Sequence, residues 1–442
     1  MTATESAATD HAELRDELHT WLSENWDPDL SVAEWWQRLG LAGWVAPTWP
    51  SAWFGRDLST AEGNVVSSTI AEFGALGAPG GLGLLLAGPT IVTHGTDEQK
   101  ERYLRDIVTG QQAWCQLFSE PNAGSDLAGL QTKALRDGEE WIVSGQKVWT
   151  SGGQIADLGM LIARTDVDAP KHQGISYFAL DMHQPGIDIR PLREITGRAL
   201  FNEVFISEAR THDDTLIGGL NNGWAVANTT LTFERAGLGA GGGNSAGSTA
   251  APGQVAGQLE LRAGDFVPSA GGKRRSGGGG AGSMFGAAGR MLVGLAQENG
   301  SIVDPTVRQD LMRLHTLNEI ARFSNLRIKA AKAAGKTPPP LANTAKLSMS
   351  RIIRLTRDLG LRILGPFGTL HAYEGDDRKV LDATTGRHLD AMVTEMALFS
   401  PAPSIYGGTD EIQKNIIGER VLGLPKEPNQ DRTTPFKDLL KN

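Results

Sequence analysis

Across 442 residues the chain has a single cysteine, Cys115, so no disulfide can form within it and a reducing compartment is implied. A lone thiol can also be catalytic, but with Trp114 and Leu117 close by, Cys115 reads as a buried structural residue. Basic charge is also scarce. The 42 Lys and Arg stand against 51 Asp and Glu, for a net charge of -9 and a pI near 5.6. That balance excludes the clustered cationic surface by which proteins hold nucleic acid or an anionic membrane. Long apolar runs are missing too: the most apolar window, 78–92, is cut by Pro79 and Pro89 and is rich in glycine. A membrane span needs about 20 consecutive apolar residues, so this window reads as buried helix ends and a turn. The opening residues, MTATESAATDHAELRDELHTWL, are acidic and polar where a secretory leader needs a basic start and an apolar core; a cytoplasmic location is expected. What is left is a small-molecule role for a chain of 40% hydrophobic and 21% charged residues, long enough for two or three domains.

Hydrophobic periodicity divides the chain. Residues 11–112 carry helix-type spacing, as at Leu14, Leu18, Trp21 and Leu22, with breakers at Pro47-Thr48-Trp49-Pro50 and Gly80-Gly81, which gives an N-terminal helical domain over 1–112. Within it Thr96-Asp97 opens a helix that ends at Gly110, acids early and bases late, as the helix dipole prefers. Over 113–222 the period changes. Short runs at 141–143, 148–151, 158–163, 175–180, 187–190 and 203–206, separated by turns such as Gln184-Pro185-Gly186, predict a middle β domain, a small barrel or sandwich. From 223 the helix period returns and persists to about Leu424, in a C-terminal domain over 223–442 that a Gly- and Ser-rich insertion interrupts at about 239–289. Gly and Ser at that density, without apolar periodicity, cannot offset the entropy of ordering, so most of the insertion is expected to be a mobile loop. Its glycines do not form a phosphate-binding loop, because no strand precedes them and no Gly-Lys-Ser/Thr follows.

The stretch over 118–153, FSEPNAGSDLAGLQTKALRDGEEWIVSGQKVWTSGG, carries the chemistry. It begins with a polar turn, Glu120-Pro121-Asn122-Ala123-Gly124-Ser125-Asp126, in which Ser119 and Ser125 offer hydroxyls. Two strand-like runs follow, 141–143 and 146–151, joined through Ser144-Gly145 as a hairpin. Strand side chains alternate, so Trp149 and Ser151 are expected on one face, an aromatic wall with a hydroxyl that suits a planar heteroaromatic ligand.

SEPNAGSD followed by GQKVWTSGG resembles the paired flavin-binding signatures of the acyl-CoA dehydrogenases. The helical, β, helical order over roughly 40–428 resembles that family's layout. The resemblance implies an α+β fold with an N-terminal helical domain, a middle β-barrel or sandwich domain and a C-terminal four-helix bundle. It implies FAD as cofactor and α,β-dehydrogenation of an acyl-CoA thioester to the 2-enoyl-CoA, with electrons passed to an electron-transfer flavoprotein. By the same resemblance Phe118 and Ser119 touch the flavin ring, and Trp149, Thr150 and Ser151 flank it with Ser151 near N5. Thr409 and Glu411 hold the adenine half. Ser125, shared with the cofactor site, and Arg235 contact the thioester portion, and Gly407 and Gly408 lie beside its carbonyl.

The family's usual base, a Glu in a Tyr-Glu-Gly-Thr motif, is missing. The matching segment, SIYGGTDEIQKNIIGERVLGLPKEP, has Gly407 in its place, which keeps a backbone N–H for the carbonyl and leaves room for a branched or bulky acyl group. The alternative base location, used by the isovaleryl and long-chain types, falls on LTFERAGLGA and selects Glu234. Trp224, Ala227, Leu231 and Leu238 are spaced 3, 4 and 7 residues apart, and Glu234 lies on their stripe. Desolvation there raises a carboxyl pKa toward neutrality, as a base for a weakly acidic carbon requires. The competing reading is an ion pair with Arg235 on a solvated face, although sequence neighbours do not face each other on a helix.

Two family features are absent. The Arg-x-x-Phe-Gly motif that reaches a neighbouring subunit's flavin is unrecognisable, and the Gln-x-x-Gly-Gly-x-Gly segment appears as RILGPFG over 362–368, where Pro366 removes a backbone donor. Such losses resemble the bacterial two-gene enzymes of the family, some of which act on steroid side-chain thioesters. A tetramer is implied, α2β2 with a second chain of the family, unless Lys273, Arg274 or Arg308 supplies the lost contacts. Lys273-Arg274-Arg275 otherwise reads as a solvated basic run. The alternatives left open are a non-catalytic partner subunit and an acyl-CoA oxidase.

Overall fold

The computed structural model describes residues 11–239, 250–267, 281–334, 341–387, 389–426, 428 and 431–439. Its N-terminal layer holds α1 (Ala12–Asn25), α2 (Val32–Leu41), α3 (Thr60–Phe73), α4 (Gly88–His94) and α5 (Asp97–Val108). Ser31 with Glu34, Ser59 with Glu62 and Thr96 with Gln99 form capping boxes, so three of these helices start where side chains satisfy their first amide groups. In α2 the spacing of Val32, Trp35, Trp36 and Leu39 gives one fully buried face. Its indoles are anchored by donating to Leu76 O at 2.7 Å and Gly77 O at 2.9 Å. Gly40 lets α2 meet the end of α5, since a Cβ there would stand 2.6 Å from Val108 O.

The middle layer is an eight-stranded mixed sheet in the order β6-β7-β3-β2-β4-β5-β8, with β1 parallel beside β4. The strands are β1 (Trp114–Leu117), β2 (Lys133–Asp137), β3 (Glu140–Ser151), β4 (Leu158–Arg164), β5 (Ile175–Asp181), β6 (Ile187–Leu192), β7 (Phe201–His212) and β8 (Leu216–Ile217). The hairpin expected at Ser144-Gly145 is not there. The strand β3 runs unbroken through both residues, and Gly145 marks a register shift against β7. A Cβ at Gly145 would meet Thr132 Oγ1 at 2.3 Å, so glycine serves close approach rather than a turn. The tight turn lies instead between β2 and β3, at Gly138 with φ +66°.

The C-terminal layer comprises α6 (Gly223–Gly239), α7 (Ala281–Glu298), α8 (Pro305–Ala333), α9 (Leu341–Leu364), α10 (Gly375–Thr385), α11 (Asp390–Phe399) and α12 (Asp410–Ile416). The helix α9 packs against α7, α8 and α11 around Leu292, Leu314, Ile353, Leu359 and Val393, which makes the four-helix bundle. Among the described residues no helix is long and apolar enough to cross a membrane.

The expected mobile loop needs a correction over its described part; 240–249 and 268–280 lie outside the described residues. Residues 250–267 form an ordered strap across the N-terminal helices, and α7 already begins at Ala281. Val32 and Ala33 donate their amides to Leu261 O and Leu259 O at 2.8 Å, and Ala263 N donates to Leu30 O at 2.8 Å. Leu259 and Ala263 are buried in the N-terminal core. Backbone pairing plus these two apolar anchors is what the Gly and Ser density concealed. Lys273, Arg274 and Arg275 lie outside the described residues.

Candidate active site

The polar turn after β1 is held from beneath. Glu120 and Ala123 exchange backbone hydrogen bonds of 3.0 Å, which closes the turn. The Glu120 carboxylate accepts from Gln131 N at 2.7 Å, Thr132 N at 2.9 Å and Lys147 Nζ at 2.9 Å. Lys147 is fully buried, and its ammonium also donates to Phe118 O at 3.0 Å. Burial works against the charge on Glu120, but Lys147 and the amide donors outweigh it and hold the carboxyl below its usual range. The two signature segments are thus bolted together by a buried ion pair. Past the turn, Lys171 Nζ binds Asp126 at 2.9 Å and also pairs with Asp431 of the C-terminal tail. Ser125 is exposed on the turn's outer side.

Where Val148 N donates to Ser119 O at 2.9 Å, β3 breaks register with β7 between Lys147 and Thr150. In that irregularity Trp149 adopts φ +62°, a left-handed conformation that bulky residues avoid. Its ring is 60% exposed and meets Phe201 edge-on at 5.8 Å. Ser151 is half-buried. Thr150 is fully buried, so its side chain has no open face to offer a cofactor. Phe118 is buried and packs edge-on against Tyr177 at 5.9 Å; Ser119 is half-buried.

Glu234 lies on α6, and its Oε2 accepts from Gln116 Nε2 of β1 at 3.2 Å. Burial pushes its pKa up; the Gln116 bond and the charge of Arg235 only temper the rise. Arg235 is exposed, and among the described residues Glu234 makes no ion pair. One turn earlier Thr230 is buried and hydrogen-bonded to Thr90 at 2.9 Å and Tyr177 at 3.3 Å, which ties α6 to α4 and β5. The strand β1 therefore touches both the base candidate and the Trp149 strand. Gln116 went unnoticed in the sequence. Extending the period-2 pattern back from Phe118 through Gln116 to Trp114 places it on the face toward α6.

The remaining expected residues sit at the start of α12. Gly407 and Gly408 have φ of +62° and +83°, which explains glycine in place of a glutamate. Gly407 O accepts from Gln413 Nε2 at 3.0 Å. The Thr409 hydroxyl caps α12 by accepting from Ile412 N at 3.1 Å. Glu411 is exposed and lies 3.6 Å from Lys414. Pro366 occupies the first turn of a short 3₁₀ helix, Gly365–Thr369, at the end of α9, and Arg308 is exposed on α8.

Known proteins match this arrangement along nearly its whole length. Residues 8–111, 115–207 and 278–422 match, in turn, the N-terminal, middle and C-terminal domain models of the acyl-CoA dehydrogenases. Acyl-CoA dehydrogenase IpdE1 of Mycobacterium tuberculosis is 33% identical over 436 residues, covering 95% of this chain and 99% of its own. The solved structure of the Tcur3481-Tcur3483 steroid ACAD matches with a TM-score of 0.67 at 25% identity, over 95% of this chain and 98% of the other. That of the ChsE4-ChsE5 complex from Mycobacterium tuberculosis matches with a TM-score of 0.64 at 26% identity, over 95% and 98%.

Proposed function

The chain belongs to the acyl-CoA dehydrogenase family, FAD-dependent oxidoreductases acting on CH–CH bonds, and from that membership we propose that Glu234 is its base, removing the α proton of an acyl-CoA thioester. One observation carries this reading: a carboxylate on α6, kept largely from water and bonded to a neutral amide, shares strand β1 with the residues that lead to Trp149. A raised pKa makes the carboxylate a stronger acceptor when ionised, which a weakly acidic α carbon demands.

FAD, when bound, supplies the acceptor for the β hydrogen and its electron pair. The residues fit a flat ring: an indole more than half uncovered, held out by a left-handed backbone, with a half-buried serine two residues on. Trp149, Ser151, Phe118 and Ser119 would hold the ring system, and Thr409 and Glu411 the adenine half. Ser125, Arg235 and Gly408 would receive the thioester portion, with the Gly407 N–H donating to its carbonyl oxygen so that the α proton becomes acidic enough to leave. The product is the 2-enoyl-CoA. Electrons then pass to an electron-transfer flavoprotein rather than to oxygen.

The acyl group is bulky, of the steroid side-chain class, a reading supported by the likeness to a steroid enzyme and by the bare Cα of Gly407. The assembly is α2β2 with a second chain of the family. Support comes from the likeness to the ChsE4-ChsE5 complex, from Pro366 where a backbone donor is wanted, and from Met312, Ile320, Phe323 and Leu326 exposed along α8.

Two measurements test the reading. Glu234→Gln keeps flavin and acyl-CoA binding but loses about 10²–10⁴-fold in turnover; a variant within about threefold of wild type moves the base elsewhere. Native mass with flavin absorbance per chain tests the assembly, and a stable, active homotetramer carrying one FAD per chain overturns α2β2.

A further inference from the structure

We infer that Gln116 is a positioning residue for Glu234: its amide fixes one carboxylate oxygen and leaves the other free to take a proton. This inference rests on the reading of Glu234 as base. Strand alternation sets the direction of the amide. Cys115 and Leu117 belong to the core on the far side of the sheet, whereas Trp114 and Phe118 belong to the core shared with α6 and the N-terminal helices. Gln116 lies between them on the α6 side, and Nε2 reaches Glu234 Oε2 at 3.2 Å. Among the described residues no hydrogen bond is made to Oε1. That oxygen is the one available to substrate.

The donor's lack of charge matters. An Arg or Lys on β1 would pair with the carboxylate and hold its pKa down, as Lys147 does for Glu120, and would spoil it as a base. An apolar side chain would leave a desolvated carboxylate without a donor, and such a group neutralises itself by staying protonated. A neutral amide opposes burial without cancelling it. Among titratable groups on elements packed against α6, Tyr177 of β5 bonds Thr230, His94 of α4 bonds Thr229 at 2.8 Å, Arg164 of β4 donates to Lys171 O and Ala128 O, and His172 meets the Trp224 ring edge-on at 5.0 Å. Among the described residues Arg235 is the one charge acting on Glu234.

The strand that carries Gln116 is rigid where it needs to be. Gln116 pairs with Met160 in the parallel β1–β4 register, and two residues on, Phe118 O is fixed by Lys147. One strand thus orients the base and the wall of the ring site together, so the distance between them is set within a few residues of backbone.

Infrared pH titration of the FAD-loaded protein reads Glu234 directly, without a substrate, from the carboxylic-acid carbonyl band present in wild type and absent in Glu234→Gln. In Gln116→Leu the midpoint of that band is expected about one pH unit higher, a tenfold smaller ionised fraction below the midpoint. Gln116→Glu keeps the shape, puts a second carboxylate beside the first and moves the midpoint further up, since two carboxylates at hydrogen-bond distance cannot both ionise. It also stands in should the leucine variant not fold. An unmoved midpoint in a folded variant overturns the role of Gln116 and leaves the base reading intact. Normal turnover of an acyl-CoA by Glu234→Gln overturns the base reading and, with it, the catalytic meaning of the bond.

Discussion

Two regions of this molecule each take a glutamate largely out of water, and they push it in opposite directions. At the polar turn, Glu120 meets two backbone amides and a fully buried ammonium, and its carboxyl titrates below the usual range. On α6, Glu234 meets one neutral amide, and its carboxyl titrates above it. Burial alone therefore does not mark a reactive carboxylate. The number and charge of the donors decide whether a buried acid is scaffold or is poised to accept a proton. A scaffold acid pulls distant segments together; a poised one is kept short of partners, at a cost to the fold.

The same substitution at the two sites should change stability with opposite sign. The largest effect is expected at the turn: Glu120→Gln leaves the Lys147 ammonium buried without its counter-charge, which costs about 3–5 kcal/mol in a urea unfolding experiment. A loss below about 1 kcal/mol would mean that the pair is not what bolts the signature segments together. A smaller effect appears on acidification. The Glu120 pKa is depressed in the fold, so its stabilisation is complete above the ordinary value of 4.5 and is lost as pH falls through the lower folded value. Burial likewise depresses His94 below 6.5, so stability that depends on its neutral form is present above 6.5 and lost as pH falls below it. Melting temperature followed from pH 7 down to about 2 should show both losses in wild type, and Glu120→Gln should abolish only the lower one. The smallest effect is expected at α6. The Glu234 pKa is raised, so at neutral pH its ionised form burdens the fold, and Glu234→Gln should raise the melting temperature by about 1 °C. A fall of several degrees would make Glu234 a scaffold acid like Glu120.

Much of the architecture could be read from local pattern. The capping box at Thr96 and Gln99, the 3.6-residue stripe on α6 and the period-2 runs of β4 and β5 are each encoded within a few residues. What could not be read depends on partners far along the chain. Nothing near Lys147 announces that its ammonium will be wholly buried, because its counter-ion sits in the preceding turn. Gly145 resembles a hairpin glycine, yet it is required by Thr132 on the neighbouring strand. The strap at 250–267 looked structureless because its order is supplied by the backbone of α2 and the residues before it rather than by its own sequence. In the candidate site, Trp149 and Glu234 stood out by residue type and position, whereas Gln116 becomes meaningful only once β1 and α6 are adjacent. The left-handed backbone at Gly407 adds a conformational reason for a glycine that the sequence marked only by its N–H and its missing side chain.

The strap also sets a schedule. Arg262 pairs with Asp29 across 233 positions of chain, and Leu259 and Ala263 complete a core that also holds Leu18, Leu22, Val32 and Trp35, all more than 200 residues earlier in the chain. At the pace of a translating ribosome, roughly 5–20 residues per second, the early helices wait about 10–50 s for the segment that covers them. During that interval Val32 and its neighbours lack their lid and the amides of Val32 and Ala33 lack their acceptors, so the nascent chain carries a sticky, half-finished N-terminal layer. That layer is where a chaperone would be needed, and where expression at lower temperature or slower synthesis would change the yield of soluble protein.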